Sequence, residues 1–317
     1  MTARALDVGD GWSVGLHEVG SGAGPVLAVL GGVHGDELEG VVAARRVLAL
    51  AERLAGEGRL SGTLRVVPVC NPPAFEAQTR TSPVDDANLA RVFPGSAQGT
   101  VTSRIAHHLT HEVIRGADLM VDLHSAGLHY SMPVFAGYVD GVPTAPRSAE
   151  AAAVFDAPLL WRHEGSGEGR SMSAAESLGV PSIYVEGSGG GGLVGTDVDV
   201  YVRGVTRLLS WLGMTPDHLA PPSGARLLSG DDGDVDASLT TPVAGLCVTR
   251  VTAGDVVQPG QLVAEVLDDR AELVHEVRNP RPEPASVMML RRTARVVAGD
   301  GIAMLGPVPR DLPGVPA

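Results

Sequence analysis

Gly31-Gly32-Val33-His34-Gly35-Asp36-Glu37-Leu38-Glu39-Gly40 joins an apolar run, Pro25 to Leu30, to a long stretch of helical periodicity. A short apolar run closed by glycines reads as a buried strand. Apolar residues then recur at three- and four-residue spacing from Leu38 to Leu54 (Val41, Val42, Ala44, Val47, Leu48, Ala51, Leu54), which reads as an amphipathic helix ended near Gly56. The stretch is a strand, a turn and a helix, the repeating unit of an α/β sheet. His34 and Glu37 fall on the turn. A histidine and a carboxylate three positions apart there can face one metal ion, because the flanking glycines let the backbone bend without a Cβ clash. Equally, Asp36 and Glu37 can merely complement a helix N-terminus beside an ordinary loop histidine. His-x-x-Glu alone does not choose between the two.

The unit recurs along the chain. Leu64 to Cys70 reads as a second buried strand, Ala117 to Leu123 as a third and Pro181 to Glu186 as a fourth, with helices at about Val101 to Arg115, Ser173 to Leu178 and Asp199 to Leu212. Residues 1 to 24 suggest a short edge strand and a turn. Met132 to Ala136 suggests a further strand, and Gly141 to Ala153 a loop and a short helix. Phe75 to Gly95 is a long polar segment without periodicity that carries Arg80, Asn88 and Arg91; loops of such length inside a compact domain are usually functional or disordered, and the two arginines with the Phe93-Pro94-Gly95 stop favour the functional case. After Pro216 to Asp236, rich in Pro, Gly, Ser and Asp, the pattern changes to short β-branched runs between turns: Gly245 to Val251, Leu262 to Leu267, Leu273 to Val277 and Ala294 to Val297. The expected architecture is α/β: a mixed, mostly parallel central sheet flanked by helices, with a smaller all-β C-terminal module. The expected boundaries are a catalytic domain at 1–215, a linker at 216–236, and a β-sandwich or barrel-like module at 237–317 with a frayed tail from Pro307.

Three strand ends deliver groups with chemistry to offer. The first carries His34 and Glu37, the third carries Asp122-Leu123-His124-Ser125, and the fourth ends in Glu186 before Gly187-Ser188-Gly189-Gly190-Gly191-Gly192. Ligands bind at the carboxyl ends of strands in such sheets. Taken singly, His124 is a strand-capping histidine and Glu186 a solvated glutamate. Taken together, two imidazoles, one carboxylate ligand and one free carboxylate form the donor set of a catalytic zinc site with an open position. His107, His108 and His111 read as helix-surface or packing residues, since His108 stands where a His-Glu-x-x-His motif needs glutamate. The glycine run is no phosphate loop, because no Gly-Lys-Ser/Thr follows it.

Composition narrows the classes further. The 317 residues carry a net charge of −13 without a basic patch, against nucleic acid or an anionic membrane as partner. All 24 basic side chains are arginine, which excludes Schiff-base chemistry. Cys70 and Cys247 lie far apart in apolar runs and read as reduced core residues, and nothing resembles a signal or spanning segment, so a cytoplasmic protein is expected.

Gly31 to Gly40, Asn88-Leu89-Ala90-Arg91-Val92-Phe93-Pro94-Gly95, Asp122-Leu123-His124-Ser125 and Val185-Glu186-Gly187, in that order, resemble the succinylglutamate desuccinylase/aspartoacylase family of the zinc carboxypeptidase superfamily. The resemblance implies one Zn²⁺ per chain held by His34, Glu37 and His124, with Glu186 as proton carrier and Arg80 stabilising the oxyanion. It further implies Arg91, with Asn88 beside it, at a substrate carboxylate. Arg170 is the candidate for a further substrate arginine. The chain departs from the family pattern at Ala90, where an asparagine commonly helps hold the carboxylate. Asn88 occupies the place of an aspartate, from which its oxygen can still accept from the His34 ring. No tyrosine occurs in the C-terminal module, although some members contribute one from there. The implied activity is hydrolysis of a small N-acyl amino acid or related N-acyl amine. The alternatives are a carboxypeptidase or an esterase on the same metal site, or a non-catalytic small-ligand-binding protein. The implied partner is a small N-acylated molecule, neither nucleic acid nor membrane, and a homodimer is common among such proteins.

Overall fold

The computed structural model describes residues 1–20, 22–165, 167–217, 220–231 and 238–311. In chain order its elements begin with β1 (Thr2–Gly9), β2 (Trp12–Gly20), β3 (Val26–Gly31), α1 (Leu38–Gly56), β4 (Thr63–Val67), α2 (Pro72–Ala77), α3 (Val101–His108) and β5 (Leu119–Leu123). They continue with β6 (Tyr130–Ser131), β7 (Phe135–Val139), α4 (Ala145–Phe155), β8 (Leu159–His163), α5 (Ser171–Ser177), β9 (Ser182–Glu186), α6 (Gly195–Trp211) and β10 (Arg226–Ser229). Then follow β11 (Leu239–Thr240), β12 (Gly245–Thr249), β13 (Val256–Val257), β14 (Leu262–Leu267), β15 (Leu273–Arg278), β16 (Ala285–Arg291), β17 (Arg295–Val296), β18 (Gly301–Gly306) and β19 (Arg310–Asp311).

The central sheet has ten strands in the order β1-β2-β4-β3-β5-β9-β7-β8-β10-β19, with β4, β3, β5 and β9 running parallel in its middle. Strand alternation sorts its two faces. Leu27 and Val29 of β3, Leu119, Val121 and Leu123 of β5, and Ile183 and Val185 of β9 pack under α1, α4 and α6. Ala28, Leu30 and Met120 pack on the other side, under α3 and α5. Asp122, Tyr184 and Glu186 share that second side by the same alternation, so polar groups gather under α5 at the strand ends. In the C-terminal part β11, β18, β16 and β13 form one antiparallel sheet, which β6 joins as a fifth strand through β16, and β15, β14, β12 and β17 form another, around Val257, Val263, Val266, Val287, Leu290 and Ile302.

Several elements differ from the sequence expectations. Residues 1–20 form two strands rather than one, because Gly9, Asp10 and Gly11 all take positive φ and close a hairpin. The helix expected from Val101 to Arg115 is α-helical only to His108 and goes on as a π-helical turn, Leu109–Ile114. β8, β16 and β18 were not anticipated. Within the stretch read as a linker, Arg226–Ser229 pairs parallel with β8, and Arg310–Asp311 of the expected tail pairs with β10. Residues 218–219, 232–237 and 312–317, which hold parts of that linker and tail, and Ser166 of the glycine-rich Ser166 to Arg170 stretch, lie outside the described residues.

Candidate active site

β3, β5 and β9 are neighbours in the sheet with Gly31 beside Leu123 and Leu123 beside Val185, so the residues just beyond these three partners converge. Gly32, at φ +59°, turns the chain out of β3. Gly40 lets α1 lie against the end of β5, since a Cβ there would sit 2.2 Å from the Leu123 carbonyl oxygen. Glu37, the residue before α1, is thereby brought to His124. One ligand atom from each of His34, Glu37 and His124 lies within 4.8 Å of the others, and the three side chains could hold a metal ion.

The orientation of these groups is fixed from behind. His34 places Nδ1 2.7 Å from Glu37 Oε1, while its Nε2 lies 3.0 Å from Asn88 Oδ1. His124 places Nδ1 2.8 Å from Glu37 Oε2, while its Nε2 lies 3.1 Å from Asp122 Oδ2. Both imidazoles thus turn the same nitrogen toward the shared carboxylate and hold the other against an oxygen, the arrangement that sets tautomer and ring direction in metal-binding histidines. Ser171 Oγ donates to Asp122 Oδ2, and the Ser125 amide donates to Glu37 Oε2 at 3.1 Å. Arg80 Nη1 donates to Glu37 Oε1 at 2.8 Å.

Charge and burial set the proton positions. Burial would raise the Glu37 carboxyl, but the adjacent His34 and His124 outweigh it and hold the group well below the usual range. Burial, with the Arg80 guanidinium, lowers His34. His124 moves the other way: burial opposes its charge, yet the carboxylates of Asp122 and Glu37 raise it well above 6.5. Glu186 is pushed well up by burial and by the negative charge of Glu37, and its Oε2 is buried with no hydrogen-bond partner among the described residues. A carboxyl of that kind is suited to receiving and returning a proton.

The sites read from sequence are brought together. A cavity of about 100 Å³ is lined by His34, His124, Glu186, Arg80, Arg91 and Arg170. Asn88 instead directs its oxygen at His34 and at the Ala90 amide. His107, His108 and His111 stay together on α3 and its π-turn, with His108 bonded to Glu112. Sequence reasoning missed three groups. Asp122 stands two residues before His124 on one strand, and this spacing alone could have placed both on one face. Tyr184 and His163, joined by a 2.6 Å contact of Oη and Nε2, also line the cavity.

Residues 23–212 match the model of the succinylglutamate desuccinylase/aspartoacylase catalytic domain. The N-alpha-acetyl-L-2,4-diaminobutyric acid deacetylase of Halomonas elongata is 33% identical over 92% of this chain and 84% of its own length. The crystal structure of a succinylglutamate desuccinylase from a Silicibacter species superposes with a TM-score of 0.84 at 30% identity, covering 94% of this chain and 89% of that one. The product-bound structure of the ectoine utilization protein EutE (DoeB) from Ruegeria pomeroyi gives 0.82 at 29% identity, covering 93% and 89%.

Proposed function

Because the chain belongs to the succinylglutamate desuccinylase/aspartoacylase family, we propose that it is a zinc-dependent hydrolase that removes the acyl group from a small N-acyl amino acid. The observation that carries this reading is the convergence of His34, Glu37 and His124 beside a buried, unpaired Glu186 oxygen in one cavity. The donor set fits zinc: two neutral imidazole nitrogens and one carboxylate leave room for substrate, where a structural site would be closed. When bound, the ion supplies Lewis acidity to a water and to the scissile carbonyl.

The protein's own groups account for the rest. Glu186 takes a proton from the attacking water and returns it to the nitrogen of the leaving amine, so the amide C–N bond breaks to give a carboxylate and a free amine. Arg80, part-exposed and already anchored on Glu37, presents its guanidinium to the oxygen on which negative charge develops. Arg91 and Arg170 hold the carboxylate of the amino-acid portion, a task suited to a planar guanidinium. With Ala90 in place of an amide side chain, the arginines act there without an asparagine partner. The H. elongata relative acts on an acetylated amino acid, which supports acetyl as the acyl group.

No helix among the described residues is long and apolar enough to cross a membrane, and we place the enzyme in the cytoplasm, acting on a small molecule, as a homodimer. The test is turnover of N-acetyl amino acids by the purified protein before and after chelation, with zinc added back. Loss and recovery of activity is expected. Full activity after verified metal removal would overturn the reading, and preference for short peptides or esters would move it to peptidase or esterase chemistry on the same residues.

A further inference from the structure

A second cavity, of about 360 Å³, lies between residues next to the metal-ligand cluster (Asp36, Ser125) and residues of the C-terminal sheets (Thr240, Met289, Gly301). Arg80 and Glu186 line both cavities, so the two adjoin the same pair of side chains. Their charges differ. The first is lined by Arg80, Arg91 and Arg170. The second has Arg80 as its one cationic side chain other than histidine among the described lining residues, and Asp36 and the buried carboxyl of Glu186 as its acidic groups, with Thr240, Met289 and Gly301 also in its lining.

Asp36 is the informative residue. Its side chain is 9% exposed, and Oδ2 accepts from the Leu128 amide at 3.2 Å. Oδ1 is buried without a hydrogen-bond partner among the described residues. A buried carboxylate oxygen left unpaired is costly unless a donor arrives from elsewhere. Arg80, which donates through Nη1 to Glu37, makes no hydrogen bond to this oxygen. The mechanism above uses no group in this place.

We propose that Asp36 is a substrate-binding residue that receives a primary ammonium group, so that the substrate lies across the metal-ligand cluster with its carboxylate among the arginines and its ammonium in the second cavity. The substrate class is then an N-acylated amino acid whose side chain ends in an amine. The assignment deepens the deacylase reading and rests on it for turnover, while the binding of the ammonium can be read without turnover.

The test compares N-acetyl-L-2,4-diaminobutyrate with the analogue lacking the side-chain amine, on zinc-loaded parent and Asp36→Asn. The substitution keeps an oxygen for the Leu128 amide and removes the charge. The parent is expected to favour the amine-bearing substrate at least about a hundredfold in kcat/KM, as sites built to pair a polar group reject analogues without it. Asp36→Asn should reduce that ratio about tenfold or more with zinc content unchanged. A ratio that stays as in the parent, whatever the absolute rates, overturns the proposal and leaves Asp36 as a loop anchor. Calorimetric titration of both compounds into zinc-loaded Glu186→Gln, with and without Asp36→Asn, reads the same preference without chemistry. Absence of turnover in the parent with an amine preference in binding that Asp36→Asn removes would defeat the deacylase reading and keep the ammonium site. Equal binding of both compounds would defeat the site.

Discussion

Replacing Asp122 by asparagine separates the charge behind His124 from its shape. Asp122 is 1% exposed, and its Oδ2 meets both His124 Nε2 at 3.1 Å and Ser171 Oγ. A hydrogen bond to a charged acceptor contributes about 1.5–3 kcal/mol, against about 0.5–1.5 kcal/mol for a neutral one. An amide oxygen in the same place therefore forfeits about 1–1.5 kcal/mol of orientation and ligand basicity, roughly tenfold in metal affinity. Asp122→Ala removes the bond altogether and should approach the upper end of the roughly 10–100-fold range typical of partners behind metal ligands. The assay is competition for zinc against a chromophoric chelator, followed over pH. Asp122 and Glu37 keep His124 protonated to well above 6.5 in the metal-free protein, against the effect of burial. That proton must leave before the ring can ligate, so affinity should rise with pH, at most about tenfold per unit for one displaced proton, and level off above the raised value. Asp122→Asn weakens the hold on that proton, which shifts the plateau to lower pH and disguises part of the loss in acid. The comparison belongs on the flat part of the parent's curve. There, a folded Asp122→Asn protein binding zinc within twofold of the parent would refute the orientation argument.

Glu186→Gln should keep its zinc, by metal analysis, while turnover of N-acetyl amino acids falls about 10²–10⁴-fold, since only proton transfer is lost. Gly40→Ala places a Cβ 2.2 Å from the Leu123 carbonyl oxygen, backbone that has no room to yield. Denaturant unfolding should report a loss of about 1–3 kcal/mol, and metal analysis a reduced zinc content, because α1 carries Glu37 away from His124. Zinc in thousandfold excess over its dissociation constant should stabilise the protein by about 4 kcal/mol. A thermal unfolding curve indifferent to chelator would count against the ligand assignment.

The central strands were legible because strands buried on both faces read as apolar runs, unbroken in Pro25 to Leu30 and kept in Leu119-Met120-Val121 between the two aspartates of Ala117 to Leu123. β8 was not, because Arg162 and His163 follow Trp161 and break the run, and β16 is obscured by the prolines at 280, 282 and 284. His34, Glu37, His124 and Glu186 were found because each stands at or just beyond a strand end, where local pattern and position coincide. The contact of His163 with Tyr184 had no such signal. It joins β8 to β9 across the intervening β7, at Gly137, where a Cβ would lie 2.2 Å from the Tyr184 ring. A bare glycine between two strands lets the tyrosine ring cross over it, and sequence spacing carries no record of that.

The distribution of unpaired oxygens supports the proposed cation at the centre of this fold. Besides Glu186 Oε2 and Asp36 Oδ1, the buried Oδ1 of Asp122 and Oε1 of Glu39 lack hydrogen-bond partners among the described residues. Glu39 is held by Ser125 Oγ at 2.7 Å through its other oxygen, and burial raises its carboxyl above the ordinary value. Arg80 is the cation bonded to Glu37, and it is part-exposed. So many acidic groups around one set of strand ends cost free energy unless protons or a dication offset their charge. Protons on Glu186 and Glu39 provide part of that offset in the metal-free protein, and both groups are displaced in the direction that retains them. A dication bound by Glu37 and the two histidines would relieve the remainder and lower the proton affinity of Glu186 toward the range where it can act as a base. The proposed zinc would thereby couple its own binding to folding and ready the proton carrier in the same step.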